Sequence, residues 1–249
     1  MFIDAHCHFN SFSQNKIDTI IESCLDDFYF VDSSIDLKSS KISIEISSQY
    51  PPIYTSLGFH PFSVNEFSSE TISKYQEIIN KNKKIVAIGE IGLDNKANII
   101  VEDQENVFID FIKLAQKNNL SIVIHNRFEG DKILDILDNL YSNYERVIFH
   151  CFSYSTDLLD KIIERGAFVS FSLNILRKNK SIIASLKKCP LNRILLETDS
   201  PYMKIRNEPS TPLDIRDVYS FASLVKDIEK TELEKAVFLN AKKVFSLPV

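Results

Sequence analysis

Residues 85–90 read Ile-Val-Ala-Ile-Gly-Glu, a short apolar run that ends at an acidic side chain. The run is continuously apolar, as expected for a strand that is covered on both faces. A pattern of helical length follows over residues 102–118, where Val107, Phe111 and Leu114 recur at three- and four-residue spacing and form one apolar stripe. This stretch therefore predicts a buried parallel strand followed by an amphipathic helix.

The same alternation recurs along the whole chain. Strands are predicted over residues 2–4, 28–32, 53–57, 85–89, 121–125, 146–150, 167–171 and 194–197. Helices are predicted over residues 17–26, 37–49, 70–82, 102–118, 131–141, 156–165, 181–187, 215–227 and 232–245. Eight strand–helix units in 249 residues predict one domain over residues 1–249, a (β/α)₈ TIM barrel. A doubly wound open sheet is the alternative, but no G-x-G-x-x-G follows an early strand.

The composition is that of an ordinary globular protein, with a formal net charge of −5. Long contacts with duplex DNA usually need a basic face, so any nucleic-acid contact should be short and local. The four cysteines form no C-x-x-C pair and are predicted to be reduced thiols. Neither a signal peptide nor a membrane span is recognisable, and we expect a cytoplasmic monomer with no membrane partner.

Five histidines and two acids share one position in this pattern, at or just after the carboxyl end of a strand. They are His6, His8, His60, Glu90, His125, His150 and Asp199. These ends converge on one rim of a barrel, which is where the active sites of such barrels lie. A lone histidine at a strand end is more often structural than a ligand. Five together favour one shared site, and hence an enzyme.

The residue types at this rim suit a metal centre. His6 and His8 are two apart in extended chain, so both imidazoles point to the same side. Imidazole and carboxylate donors suit zinc, manganese, cobalt or iron, and sites richer in oxygen suit magnesium, so the set does not choose between them. A bridging Glu90 would allow two ions, which together activate a water. Asp199 is then both a ligand and the base that accepts the water's proton.

Several stretches resemble those of the TatD family of metal-dependent deoxyribonucleases, which belong to the amidohydrolase-like barrels. The resemblance extends over essentially the whole chain and is most specific at GEIGLD and ETDSPY. The matching stretches are FIDAHCH (2–8), GFHP (58–61), AIGEIGLD (87–94), IHNR (124–127), HCFS (150–153), LETDSPY (196–202), RNEP (206–209) and NAKKVF (240–245).

The resemblance implies a role for each residue of the rim. One ion would be held by His6, His8, Glu90 and Asp199, and a second by Glu90, His125 and His150. His60 would face the substrate phosphate with help from Arg127. The implied activity is hydrolysis of phosphodiester bonds in DNA, often from an end, with two divalent ions (Mg, Mn or Zn). Its implied substrate is short or single-stranded DNA.

Further residues near the rim are candidates for substrate binding. Tyr202 is expected to stack on bases at single-stranded ends, as are Tyr154 and Phe152, although barrel-mouth packing is favoured for Phe152. Arg127 and Arg206 are expected to contact the phosphate backbone. Other members of a possible positive collar are Arg177, Lys178, Lys180 and Lys204, and for residues 177–180 a solvated basic face is an equal alternative.

Two other functions remain open. A related hydrolase could cut an ester, amide or phosphotriester bond in a small molecule, because fold alone does not fix the substrate. A carboxylate at Glu90, where many amidohydrolases of this kind carry a modified lysine, favours the nuclease. A non-catalytic scaffold is the third hypothesis, and the complete set of candidate ligands speaks against it.

Overall fold

The computed structural model describes residues 1–24, 27–128, 131–205 and 207–248. Over these residues, eight parallel strands pair in chain order, each with its successor. The strands are β1 (Phe2–Cys7), β2 (Phe28–Ser33), β3 (Ile53–Leu57), β4 (Ile85–Asp94), β5 (Ser121–Arg127), β6 (Val147–Phe149), β7 (Phe168–Phe171) and β8 (Ile194–Leu196). This architecture confirms the predicted TIM barrel and excludes the open doubly wound sheet, in which the strand order would not follow the chain.

The helices lie between the strands and cover the outside of the barrel. They are α1 (Gln14–Glu22), α2 (Leu37–Gln49), α3 (Thr71–Lys81), α4 (Val101–Asn118), α5 (Lys132–Leu140), α6 (Thr156–Glu164), α7 (Lys180–Lys188), α8 (Ile215–Lys226) and α9 (Lys230–Phe245). Most bounds agree with the sequence to within two residues. The first helix is the exception, since it begins three residues earlier than predicted and ends at Glu22, while residue 26 lies outside the described part.

The barrel is nearly closed between its last and first strands. No strand ladder joins β8 to β1 in the described chain, but two backbone hydrogen bonds connect the segments at their carboxyl ends. The amide of Asp199 donates to the carbonyl of His6 at 3.0 Å, and the amide of His8 donates to the carbonyl of Ser200 at 2.8 Å. The closure therefore lies at the predicted active-site rim.

Four strands extend beyond their predicted carboxyl ends, β2 by one residue and β5 by two, and the longest extensions, those of β1 and β4, carry polar residues. β1 continues through His6 to Cys7, and β4 continues through Glu90 to Asp94. The predicted ends, at residues 4 and 89, were wrong because they were placed where the apolar run stops. Strand pairing depends on backbone groups, so a polar side chain can remain in the ladder when other polar groups satisfy it inside the barrel.

A short antiparallel hairpin pairs β9 (Lys204–Ile205) with β10 (Glu208–Pro209) after the last barrel strand. All four cysteines are unpaired, as expected. Among the helices of the described chain, none combines the length and apolarity that crossing a membrane requires.

Candidate metal centre

His6 in β1 and His8, which directly follows β1, bring two imidazole rings together at the rim of the barrel. The Nε2 atoms of His6 and His8 lie 3.3 Å apart, and both side chains are almost fully buried. Nε2 of His8 is also 3.4 Å from Oδ1 of Asp199, which follows β8. Extended backbone and the closure of the barrel thus bring together three residues that the sequence had assigned to one ion.

Glu90 occupies the middle of the cluster, and its two carboxylate oxygens face different histidines. Oε1 lies 2.8 Å from Nε2 of His150 and also contacts Nδ1 of His125, whereas Oε2 lies 3.5 Å from Nε2 of His6. The histidine rings within 4.0 Å of the carboxylate are those of His6, His8, His60, His125 and His150. The two oxygens of this one carboxylate thus contact different sets of histidines.

The donor atoms form overlapping groups that fit a cation. Within each group, the nitrogen and oxygen atoms lie within 4.8 Å of one another, and every member is buried. The groups found in the described chain are His6 with His8 and Asp199, His6 with Glu90 and His150, and His60 with Glu90 and His125. Imidazole nitrogens and carboxylate oxygens are the donors that divalent transition metals and, for the carboxylates, magnesium prefer.

Two contacts in this cluster go beyond the roles that the family resemblance implied. His60, which the resemblance placed facing the substrate phosphate, lies at the edge of the donor cluster, with its Nε2 3.3 Å from Nδ1 of His125. His150 groups with His6, and their rings stack with centroids 4.1 Å apart. The seven rim residues are nevertheless one constellation around Glu90.

The outward-facing nitrogens of the histidines are held by partners that the sequence analysis had not assigned. Nδ1 of His8 lies 2.7 Å from the carbonyl oxygen of Ser33, and the Ser33 hydroxyl lies 3.1 Å from Nδ1 of His6. On the opposite side, Nε2 of His125 lies 2.9 Å from Oδ2 of Asp94. Such contacts orient a metal-ligating ring and set which nitrogen is available to the ion.

Two further buried acids support the strand ends from outside the cluster. Oε1 of Glu197 lies 3.4 Å from Nδ1 of His150. Asp4 accepts hydrogen bonds from the amide of Thr198 at 2.9 Å and from its hydroxyl at 2.6 Å, which ties β1 to the chain after β8. Asp94 and Glu197 are acids at strand ends, so the rule that identified Glu90 could also have found them. Ser33 offered no such signal.

Electrostatics keep the central carboxylates charged. Burial raises the pKa of Glu90, but the neighbouring His150, His125 and His60 outweigh it and hold the pKa well below its ordinary value. Burial likewise opposes ionisation of Asp199, and His8 outweighs it and lowers the pKa. Conversely, burial lowers the pKa of His150, but Glu90 raises it well above the ordinary value. The site therefore places buried negative charge where a cation would bind.

A cavity of about 1020 Å³ opens above this cluster. Arg127 and Tyr202, both predicted to bind substrate, are exposed and line it, as do Arg177 and Tyr154. Lys178, Lys180 and Lys204 are not among the described lining residues, and Arg206 lies outside the described part of the chain. Phe152 is only 2% exposed and packs against Phe171, in keeping with the packing role favoured for it.

Comparison with known proteins gives consistent matches over almost the whole chain. A family model described as "TatD related DNase" matches residues 3–246. A protein of Methanocaldococcus jannaschii named as an uncharacterized metal-dependent hydrolase is 30% identical, and the match covers 98% of this chain and 96% of the relative. A protein of Erwinia tasmaniensis named 3'-5' ssDNA/RNA exonuclease TatD is 26% identical, with 84% of each chain covered.

The fold has a close counterpart among solved structures. The crystal structure of YjjV, a TatD homolog from Escherichia coli, matches with a TM-score of 0.92 and 24% identity. The match covers 99% of this chain and 98% of the other chain. At this level of identity the likeness establishes a common barrel architecture.

Proposed function

This chain belongs to the TatD related DNase family and is a metal-dependent hydrolase, and from that premise we propose that it is a nuclease that cleaves phosphodiester bonds at the ends of single-stranded DNA. The observation that carries the proposal is the buried Glu90 carboxylate, which is shared by two sets of histidines beneath an open cavity. The exposed guanidinium of Arg127 lines the same cavity and can bind a phosphate.

In this proposal the donor cluster holds two divalent cations, which can be Mg, Mn or Zn. When bound, such ions offset the charge that develops on a phosphodiester and make water a usable nucleophile near neutral pH. Glu90 would contribute to both positions, because its two oxygens face different sets of histidines. The residues that would hold the ions are His6, His8, Glu90, His125, His150 and Asp199.

The protein's own side chains complete the reaction. Asp199 has a lowered pKa and is therefore ionised at neutral pH, so its carboxylate is available to accept a proton from the attacking water. His60 lies at the edge of the cluster, lines the cavity and can donate a hydrogen bond to a phosphate oxygen. Arg127 contributes a second donor from the end of β5. Tyr202 is exposed and lines the cavity, so its ring can contact a base.

The charge of the cavity wall favours this substrate over a small neutral ester, amide or phosphotriester. Lys96, Arg127 and Arg177 line the cavity, and no carboxylate of the described chain lies within 4.0 Å of their charged groups. Unpaired cations around a metal centre attract a polyanion. A neutral small molecule does not need a positively charged binding surface, so the alternative function does not account for these three cations.

The proposal is tested with a short, end-labelled single-stranded DNA incubated with EDTA, magnesium, manganese or zinc. Glu90→Ala is compared with the wild-type protein, and Glu45→Ala, which removes an exposed acid on α2, is the matched control. We expect a metal-dependent ladder of products that Glu45→Ala retains and Glu90→Ala loses, with both variants folded by circular dichroism. The direction of the ladder gives the polarity of cleavage.

The opposite outcome is equally clear. If no ion supports cleavage of DNA while a chromogenic ester or phosphotriester is turned over, the protein is a small-molecule hydrolase. If Glu90→Ala cleaves DNA at the wild-type rate, the activity does not arise at this centre.

A further inference from the structure

The residues around the cavity are distributed unevenly by charge. Outside the donor cluster, the described lining residues that follow β8, β2 and β3 carry no charge, and we call them the aromatic arc: Ile35, Phe62, Tyr202 and Met203. The lining cations follow β4, β5 and β7 and form the cationic arc: Lys96, Arg127 and Arg177. Since β8, β1, β2 and β3 are neighbours around the barrel, the two arcs occupy different sides of the rim.

The two rings of the aromatic arc are held in place yet largely exposed. Phe62 is 55% exposed, and its ring centroid lies 5.0 Å from that of His60. Tyr202 is 56% exposed, with its ring 4.7 Å from that of His8 and its hydroxyl 3.3 Å from the Ser11 hydroxyl. Large apolar side chains exposed beside a functional cavity commonly mark a binding surface.

The side of the rim that carries the cationic arc also has apolar and aromatic lining residues, so the two sides differ in charge rather than in apolarity. These residues are Phe128, Tyr154 and Ile182. All the lysine and arginine residues that line the cavity in the described chain lie on that side. Arg177 stands two strands beyond Arg127 in the barrel order, so the two guanidinium groups lie at different points along the rim.

We propose, building on the nuclease function above, that the cavity sorts the base and the phosphate of each nucleotide, binding them on different sides of its rim. Unpaired bases stack on Phe62 and Tyr202, while the phosphates of the strand face Lys96, Arg127 and Arg177. Stacking on aromatic rings accepts any base, because every base has a π-face. Phe62 and Tyr202 therefore select single strands without selecting a sequence, and Arg177 selects an oligonucleotide over a single phosphate ester.

The aromatic arc is tested with labelled single strands in which one nucleotide at a time lacks its base. Binding is measured by fluorescence anisotropy in EDTA, and cleavage is measured with the active metal. Loss of a stacked base should weaken binding of the wild-type protein about 5- to 150-fold at one or two positions near the cleaved end. Phe62→Ala and Tyr202→Ala should lower affinity similarly for the intact strand and become insensitive to the missing base.

Two further variants make this test specific. Phe62→Leu keeps an apolar side chain against His60 but has no ring, so it should behave like Phe62→Ala if stacking is the cause. Leu224→Ala removes an apolar side chain of α8 that is 77% exposed and should bind like the wild-type protein. Wild-type binding and cleavage that do not depend on any base would overturn the proposal and leave the nuclease function standing.

The cationic arc is tested through the salt dependence of binding. Removing one phosphate contact from a single strand lowers the slope of log affinity against log salt by about 0.7. Arg177→Gln should show this decrease and keep the wild-type sensitivity to a missing base. Lys180→Gln, at an exposed cation near Arg177 that is not part of the cavity wall, should retain the wild-type slope.

The results distinguish failure of the proposed sorting from failure of the proposed nuclease function. A slope in Arg177→Gln equal to that of the wild-type protein would remove Arg177 from the phosphate path. Loss of base sensitivity in Arg177→Gln would contradict the division into two arcs. If the wild-type protein neither binds nor cleaves DNA, the proposed nuclease function fails, and the sorting proposal fails with it.

Discussion

Nδ1 of His8 lies 2.7 Å from the backbone carbonyl oxygen of Ser33. A carbonyl oxygen can only accept a hydrogen bond, so this nitrogen carries the proton and Nε2 keeps its lone pair for a ligand. The contact joins the residue that follows β1 to the last residue of β2, and it uses a backbone atom that no side-chain substitution removes. The tautomer of His8 is thus set by the backbone of the barrel and not by another side chain.

The hydroxyl of Ser33 contacts a different histidine, so its contribution to the metal centre can be tested separately from that of the carbonyl. Ser33→Ala keeps the carbonyl for His8 but removes the hydroxyl that lies 3.1 Å from Nδ1 of His6. We expect divalent-ion affinity, measured by calorimetric titration, to fall about 10- to 100-fold. Ser48→Ala, at an exposed serine that bonds within α2, is the control. Equal affinity in the two variants would show that the hydroxyl does not orient His6.

Asp199→Asn tests the proposed base. The amide keeps one oxygen that can act as a ligand, but it cannot take up a proton as the ionised carboxylate does. Turnover at saturating metal should fall by about 10²- to 10⁴-fold, whereas bound metal measured by elemental analysis should fall only in part. Turnover close to that of the wild-type protein, with metal still bound, would assign the base to another residue.

Removal of metal should lower thermal stability, because the buried donors of the centre would lose a shared cation. At an ion concentration about 100 times Kd, binding stabilises the folded state by about 2.7 kcal/mol. For a chain of this size, that corresponds to a rise in Tm of about 5–10 °C. Melting curves in EDTA and in excess ion should differ by this amount for the wild-type protein and by less for Glu90→Ala. Superimposable wild-type curves would argue against a bound ion.

Asp32 gives a prediction for pH. Its side chain is fully buried, and its Oδ1 accepts a hydrogen bond from Asn10 at 2.9 Å. Burial raises the pKa of this carboxyl to about 6. Between the unfolded value of about 3.9 and about 6, the folded state binds more protons than the unfolded state. The stability contributed by Asp32 is therefore fully present below this window and is lost as pH rises through it.

Asp32→Asn should remove that loss, since the amide stays neutral and keeps an oxygen for Asn10. The substitution should raise the free energy of unfolding, relative to wild type, by up to about 3 kcal/mol more at pH 7 than at pH 4. Urea unfolding in EDTA at the two pH values measures the difference. An effect of the substitution that is the same at both values would mean that Asp32 titrates normally.

Much of the barrel and of its candidate site could be predicted because both leave local marks in the chain. Apolar runs such as residues 122–124 alternate with helical stripes, and a polar residue such as His125 ends the run at the rim. Strand ends were predicted less well, because Glu90 remains in a ladder whose hydrogen bonds belong to the backbone. The role of Ser33 could not be predicted, since its distance from His6 along the chain says nothing about their contact.

The sequence by itself determined the barrel and the set of candidate donor residues, because the alternation of strand and helix places the carboxyl ends of all eight strands on one rim. Only the tertiary structure decided which atoms meet. It places His60 beside His125 and stacks His6 on His150, and it puts Glu90 between the two sets. These pairings depend on strand register and side-chain rotamers, which packing of the whole barrel selects and no local pattern encodes.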